Sequence, residues 1–148
     1  MPIGTYSEKQ IIPEDKLVKV PNNISDEVAS CITLKGITAE YLLHRTYQVK
    51  KGDKILYHAA AGALGQIFCP WANALGAEII GTVGSDEKIE IAKKNGCHHV
   101  INYNEKNFVE EVEKIVGKNG LDVVYDGVGA KTFEAVSYTH LRAHETRS

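Results

Sequence analysis

Along this chain the spacing of hydrophobic and polar positions switches repeatedly between a helical and a strand period, in an orderly sequence. Residues 1–23 hold one short alternating run, Lys16-Leu-Val-Lys-Val20, closed by Pro21. Ser25 then reads as an N-cap, with Asp26 and Glu27 filling a first helical turn where carboxylates favour the exposed amides. A break near Gly36 is expected before the helical spacing resumes to about Tyr47, and Lys51-Gly-Asp53 turns the chain out. From there strands are predicted at residues 54–58, 77–83, 99–102 and 121–126. Helices are predicted between them at 62–75, at 85–95 with Gly96 as the stop, and at 108–116. Strands separated by helices predict an α/β fold, a partial doubly wound parallel sheet of Rossmann type with right-handed crossovers. The sheet is expected to be truncated at its C-terminal strands, because residues 136–148 carry no period.

Composition narrows this picture rather than changing it. A chain of 148 residues with 43% hydrophobic content is long enough for one packed core. Its net charge of -2, without a basic block or basic-aromatic surface, indicates no nucleic-acid partner. Cys31, Cys69 and Cys97 are widely separated and lack metal-ligand spacing, so they read as reduced thiols, with neither a disulfide framework nor a metal site. No apolar run reaches the roughly 20 residues that span a bilayer, and the amino terminus lacks a secretory pattern, so a cytoplasmic protein with no membrane partner is expected.

The most informative segment is Leu56-Tyr-His-Ala-Ala-Ala-Gly-Ala-Leu-Gly-Gln66, in which a predicted strand enters Ala60-x-Gly62-x-x-Gly65 and continues into a helix. This is the dinucleotide fingerprint with alanine in the first glycine's place. Gly62 lets backbone amides approach a pyrophosphate, Gly65 lets helix and sheet pack closely, and the helix N-terminus faces the negative charge. The strand after it ends Gly81-Thr-Val-Gly-Ser85, where an NAD-selective site would carry an acid for the ribose 2′-hydroxyl. Gly84 leaves room for a phosphate, Ser85 can donate to it, and Lys88 follows as a cation, so NADPH is the expected cofactor. Asp86 is the contrary signal, read as a helix-start residue.

Leu34-Lys-Gly-Ile-Thr-Ala-Glu-Tyr-Leu-Leu43, the loop at 58–65, Gly76-Ala77, residues 81–85, Val100-Ile-Asn-Tyr103 and Val124-Tyr-Asp-Gly-Val-Gly129 together resemble the zinc-independent quinone oxidoreductases of the zeta-crystallin type, within the medium-chain dehydrogenases. The resemblance covers roughly residues 4–135. It implies cofactor contacts at Tyr41, Ala63, Leu64, Gly84, Ser85, Lys88, Tyr103 and Val128, with Lys88 and Tyr103 on the 2′-phosphate. Ala63-Leu64 departs from the family's usual Gly-Val and places a methyl close to the pyrophosphate. Asp126-Gly127 departs as well, since a small hydroxyl residue often follows that Asp.

The activity so implied is hydride transfer from NADPH to a quinone or other small electrophilic acceptor, in a parent that is a homodimer. Alignment of cofactor and acceptor is then the protein's main task, and no catalytic acid or base is assigned. His58 and the pair His98-His99 read as structural. Another NADPH-dependent medium-chain reductase of the enoyl reductase type, or a non-catalytic nucleotide-binding module, would share these features. Residues 1–24 then correspond to the remnant of an N-terminal catalytic barrel domain and 25–135 to the incomplete NADPH-binding domain. Residues 136–148 form a non-native tail, Val136-Ser-Tyr-Thr-His-Leu-Arg-Ala-His-Glu-Thr146 resembling a translated transposase-type sequencing adapter. The fragment alone is expected to be inactive, its fourth strand an open edge.

Overall fold

In the computed structural model, residues 6–129 and Thr132 are described; the tail at 136–148 lies outside them. The chain divides into two compact units, residues 1–33 and 34–148. Among the described residues of the first, a 3-10 turn at Glu14–Lys16 is the only regular structure before the helix α1 (Asp26–Glu40). Leu17 and Val18 in the alternating run are exposed and join no strand. Ser25 caps as expected, its hydroxyl accepting from the Val28 amide at 3.4 Å.

The second unit is built on four parallel strands, β1 (Lys54–Tyr57), β2 (Glu78–Val83), β3 (His99–Asn102) and β4 (Val123–Tyr125), in the order β3-β2-β1-β4. Helices α2 (Gly65–Ala74), α3 (Glu87–Lys94) and α4 (Phe108–Val116) lie between them in sequence. Both faces of the sheet are covered, which is why its strands are apolar at successive positions rather than alternating. Ile55 and Tyr57 pack with Phe68, Cys69 and Ala72 of α2 and Ala92 of α3, whereas Leu56, Ile80 and Ile101 pack on the other face with Phe108 and Val112 of α4. Cys69 and Cys97 are buried thiols, and Cys31 is exposed.

The expected break at Gly36 is absent, because α1 runs through it to Glu40. A single helical glycine costs only about 1 kcal/mol relative to alanine, and Ala39 and Leu43, both fully buried, hold this segment. The irregularity falls instead at Tyr41–Thr46, a π-helical turn. Its wider winding carries a Tyr47 amide bond back to the Leu42 carbonyl and an Arg45–Glu40 ion pair at 3.0 Å, both spaced five residues apart. The Tyr125 hydroxyl donates to the same Leu42 carbonyl at 2.9 Å.

Two close approaches fix the centre of the sheet. A Cβ at Gly65 would stand 2.7 Å from the Ala60 carbonyl carbon and 2.9 Å from its Cα, so no side chain fits there. A Cβ at Gly81 would stand 2.7 Å from the Ala60 methyl and 2.8 Å from the Cys97 sulfur. Alanine therefore replaces the fingerprint's first glycine at a position where β2 offers a glycine to receive it. Gly81→Ala is expected to overpack the core and cost about 1–3 kcal/mol in denaturant unfolding. Adding Ala60→Gly should recover only part of the loss, since Cys97 still obstructs the new methyl.

His58, just past β1, is 3% exposed. Its Nδ1 lies 2.8 Å from the Thr82 hydroxyl oxygen, and its ring meets Phe108 edge to face at 5.2 Å. Burial pushes the imidazole pKa below its ordinary value against an opposing pull from the Asp126 charge. The unfolded chain consequently binds this proton more readily, so His58 lowers stability progressively as pH falls below about 6.5. Thermal unfolding between pH 7 and 5 is expected to show a shallower acid loss in His58→Gln than in the unsubstituted chain; parallel curves would exclude the imidazole as the cause.

Candidate functional site

The sheet order reverses between β1 and β4, since β2 and β3 extend from one side of β1 and β4 from the other. Crevices at the C-terminal ends of strands flanking such a reversal receive ligands in open α/β sheets. A cavity of about 520 Å³ lies there, lined by the loop residues Gly62, Ala63, Leu64 and Gly65, with Asp126 and Gly127 from the end of β4. Gly65 opens α2 without a side-chain cap. Among the described residues, the amides of Ala63 and Leu64 donate to no protein acceptor. These are donors of the kind that a phosphate accepts from at a helix N-terminus.

The turn into this loop is strained. Ala59 has φ 59°, in the left-handed region that disfavours a residue bearing Cβ. It is held there by hydrogen bonds on either side, from the His58 amide to the Tyr125 carbonyl at 3.1 Å and from the Ala60 amide to the Thr82 carbonyl at 3.0 Å. β1 is thus tied to β4 just before the turn and to β2 just after it.

Asp126 organises the opposite wall. Its Oδ1 accepts from the amides of Val128 at 2.8 Å and Gly129 at 3.1 Å, and its Oδ2 accepts from the Thr132 hydroxyl at 2.7 Å. Burial pushes its pKa upward, but these three donors outweigh burial and hold the carboxyl below its ordinary range. Val128 is positioned by this turn and is partly exposed.

A second cluster sits at the ends of β2 and β3. Val83 pairs with Asn102 in register, and the Tyr103 amide donates to the Val83 carbonyl at 3.1 Å. Tyr103 is thereby folded over Gly84, where an added Cβ would stand 2.7 Å from its hydroxyl. The glycine at the end of β2 is what admits the phenol. Ser85 begins the turn into α3, its carbonyl accepting from the Lys88 amide at 3.1 Å, and the Lys88 side chain is exposed.

Eight of the ten anticipated site residues therefore fall into the loop after β1 and the start of α2, the β2 and β3 ends, or the turn after β4, and Lys88 lies in the first turn of α3. Tyr41 stands apart: it begins the π turn, 49% exposed, and does not line the cavity, whereas its neighbours Leu42 and Thr46 do. Sequence reasoning did not single out Lys35, Leu42 or Thr46 as wall residues. The signal for Leu42 and Thr46 was the irregular winding after Glu40, which the period alone does not locate. It also passed over Asn102 and Asn104, whose side chains bond to Asp86 and to the Gly84 carbonyl. Among the described residues no three His, Cys, Asp or Glu side chains group to hold a metal. No helix of these residues is long and apolar enough to cross a membrane.

Comparison with known proteins places this geometry in context. The family model described as zinc-binding dehydrogenase matches residues 63–146. A 2-haloacrylate reductase from Burkholderia is 51% identical over 135 residues, covering 90% of this chain and 40% of that protein. Quinone oxidoreductase 1 from Escherichia coli is 47% identical over 132 residues, covering 89% of this chain and 40% of its own length. The crystal structure of Escherichia coli quinone oxidoreductase complexed with NADPH superposes with a TM-score of 0.78 at 49% identity, over 81% of this chain and 37% of that one. The chain thus spans about two fifths of the length of the curated relatives it matches. With a matching family model over residues 63–146 and a parallel sheet that carries the glycine loop, the chain belongs to the zinc-binding dehydrogenase family, among relatives that include quinone oxidoreductases.

Proposed function

We propose that this chain is the NADPH-binding portion of an oxidoreductase that transfers a hydride from NADPH to a quinone. The observation that carries the reading is the paired phosphate geometry. Ala63 and Leu64, whose amides donate to no acceptor among the described residues, line the cavity at the sheet's reversal, and a separate cluster of Tyr103, Gly84 and Ser85 stands at the ends of β2 and β3, with Lys88 in the first turn of α3. The positions of the two clusters support assigning the first to a dinucleotide's pyrophosphate and the second to its adenosine ribose, which bind at strand ends and a helix N-terminus in this topology. In this reading Gly62 and Gly65 shape the pyrophosphate loop. Ser85, Lys88 and the Tyr103 hydroxyl hold the 2′-phosphate, and Tyr41 and Val128 flank the remainder of the cofactor.

NADPH would supply the hydride; the protein's residues bind, orient and exclude water. Ala63 narrows the approach to the loop amides, and the Asp126 turn sets the opposite wall. Residues 25–135 would form the nucleotide-binding part, and residues 1–24 would belong to the end of a barrel domain that completes the acceptor cleft in a homodimeric parent. Likeness to a 2-haloacrylate reductase favours, as a second reading, an activated alkene in place of the quinone. NADPH consumption by the full-length parent with each acceptor in turn separates the two.

Thermal unfolding of the purified chain with NADPH, with NADH and without ligand tests the cofactor reading, because a ligand that binds only the folded state stabilises it by mass action. A larger upward shift with NADPH is expected; a cooperative transition that neither cofactor moves would overturn the reading. Lys88→Ala should weaken NADPH about tenfold while leaving NADH nearly unchanged, as expected for loss of one charge-assisted phosphate contact. Equal losses for both cofactors, measured by titration, would remove Lys88 from this role.

A further inference from the structure

The sequence contains a contradiction at the adenosine end of the site. Asp86 lies two residues beyond Gly84, and a carboxylate free to face the ribose would accept from a 2′-hydroxyl and repel a 2′-phosphate. Asp86 occupies the N-cap position of α3, where such a side chain ordinarily accepts from an amide of the first turn, yet it makes no side-chain cap bond. Its Oδ1 accepts instead from Nδ2 of Asn102 at 2.8 Å.

Asn102 is 7% exposed at the end of β3, and both ends of its amide are engaged. While Nδ2 holds Asp86, Oδ1 accepts from the Asn104 amide at 3.1 Å. The Asn104 side chain then donates to the Gly84 carbonyl at 2.7 Å. Three bonds in series therefore join the loop after β2 to the loop after β3, one at Gly84 and one at Asp86, with Tyr103 between the two asparagines. Asp86 and Asn102 also line a cavity of about 430 Å³ with Ile89, Glu105 and Lys106, and none of Gly84, Ser85, Lys88 or Tyr103 borders it. Asp86 thus borders a cavity that the Gly84–Tyr103 cluster does not.

We propose that Asn102 and Asn104 are positioning residues for cofactor choice, Asn102 holding the Asp86 carboxylate away from the 2′-position and Asn104 fixing Gly84 beneath Tyr103. The proposal rests on the dinucleotide reading above and adds how this chain tolerates an acid beside a 2′-phosphate pocket. Asn102 suits the task because it is a neutral donor: an aspartate there could not donate to Asp86, and an alanine would release it.

The test is titration of the whole chain with NADPH and with NADH, reading the ratio of the two dissociation constants. Asn102→Ala is expected to lower the preference for NADPH about tenfold, chiefly by weakening NADPH, as the freed charge turns toward the phosphate. In Asn102→Ala/Asp86→Asn the preference should return to within about twofold of the unsubstituted chain, because the charge is gone although the tether is still cut. Equal weakening of both cofactors by Asn102→Ala, or no rescue by Asp86→Asn, would overturn the proposal in favour of a purely structural asparagine. Asn104 is exposed, so Asn104→Ala tests the same chain of bonds should Asn102→Ala not fold. A fall in preference of about threefold is expected there, and an unchanged ratio would sink its part of the proposal. If the unsubstituted chain binds NADH as well as NADPH, the 2′-phosphate reading itself falls, whereas a retained preference in Asn102→Ala defeats only the proposal made here.

Discussion

The backbone of Ala60 and the α-carbon of Gly65 lie so close that nothing larger than hydrogen fits between them, and the rest of the site depends on that contact. It brings the start of α2 down onto the end of β1, and the Ala63 and Leu64 amides between them donate to no acceptor among the described residues. The approach is shared with β2, since the Ala60 methyl fills the space that Gly81 leaves open. Ala59 must take up the remaining turn in the left-handed region, at a cost of roughly 1–2 kcal/mol that the bonds to β4 and β2 on either side hold in place. Strain here accompanies a loop whose shape, rather than whose side chains, is its chemistry.

A sheet covered on both faces leaves few places for polar groups, and they gather at the strand ends. At the N-terminal end Asp122 accepts from the Lys54 amide at 2.8 Å and joins β4 to β1. At the opposite end His58 pairs with Thr82, Asp126 gathers two amides and a hydroxyl, and Asn102 and Asn104 bridge two loops. A buried polar group left unpaired costs about 1–3 kcal/mol, so each of these bonds also limits how its loop can move. Stability and ligand geometry are therefore set by the same side chains at this end of the sheet.

The period of apolar positions located all four strands and helices α2 to α4 to within a few residues, because a fully enclosed parallel strand and an amphipathic helix leave distinct patterns. Helix α2 begins at Gly65 rather than Gly62 because the fingerprint residues are used by the turn itself. Gly36 misled, since glycine's local cost is small beside the burial of Ala39 and Leu43, and the true irregularity at Tyr41–Thr46 has no marker residue. The loop glycines were legible because close approach demands glycine wherever it occurs. The Asp86–Asn102–Asn104 chain was not, because its partners are sixteen and two residues apart and no periodicity encodes a bond between loops.

The position of β1 between β2 and β4 bears on how the chain assembles during synthesis. β2 lies one helix further along the chain, and β1 and β2 can pair as soon as α2 has formed between them. The other edge of β1 must wait for β4, whose contacts with it span 68 residues, as between Lys54 and Asp122. Closing so long a loop is entropically slow, and topologies dominated by such separations fold more slowly than those built from local contacts. Until β4 arrives, Ile55, Leu56 and Tyr57 present an unpaired strand edge, and the wall formed by Asp126 does not yet exist. A nascent chain would thus acquire the turn after β1 before it acquires the crevice that Asp126 borders, and through that interval the apolar edge of β1 stays open to association.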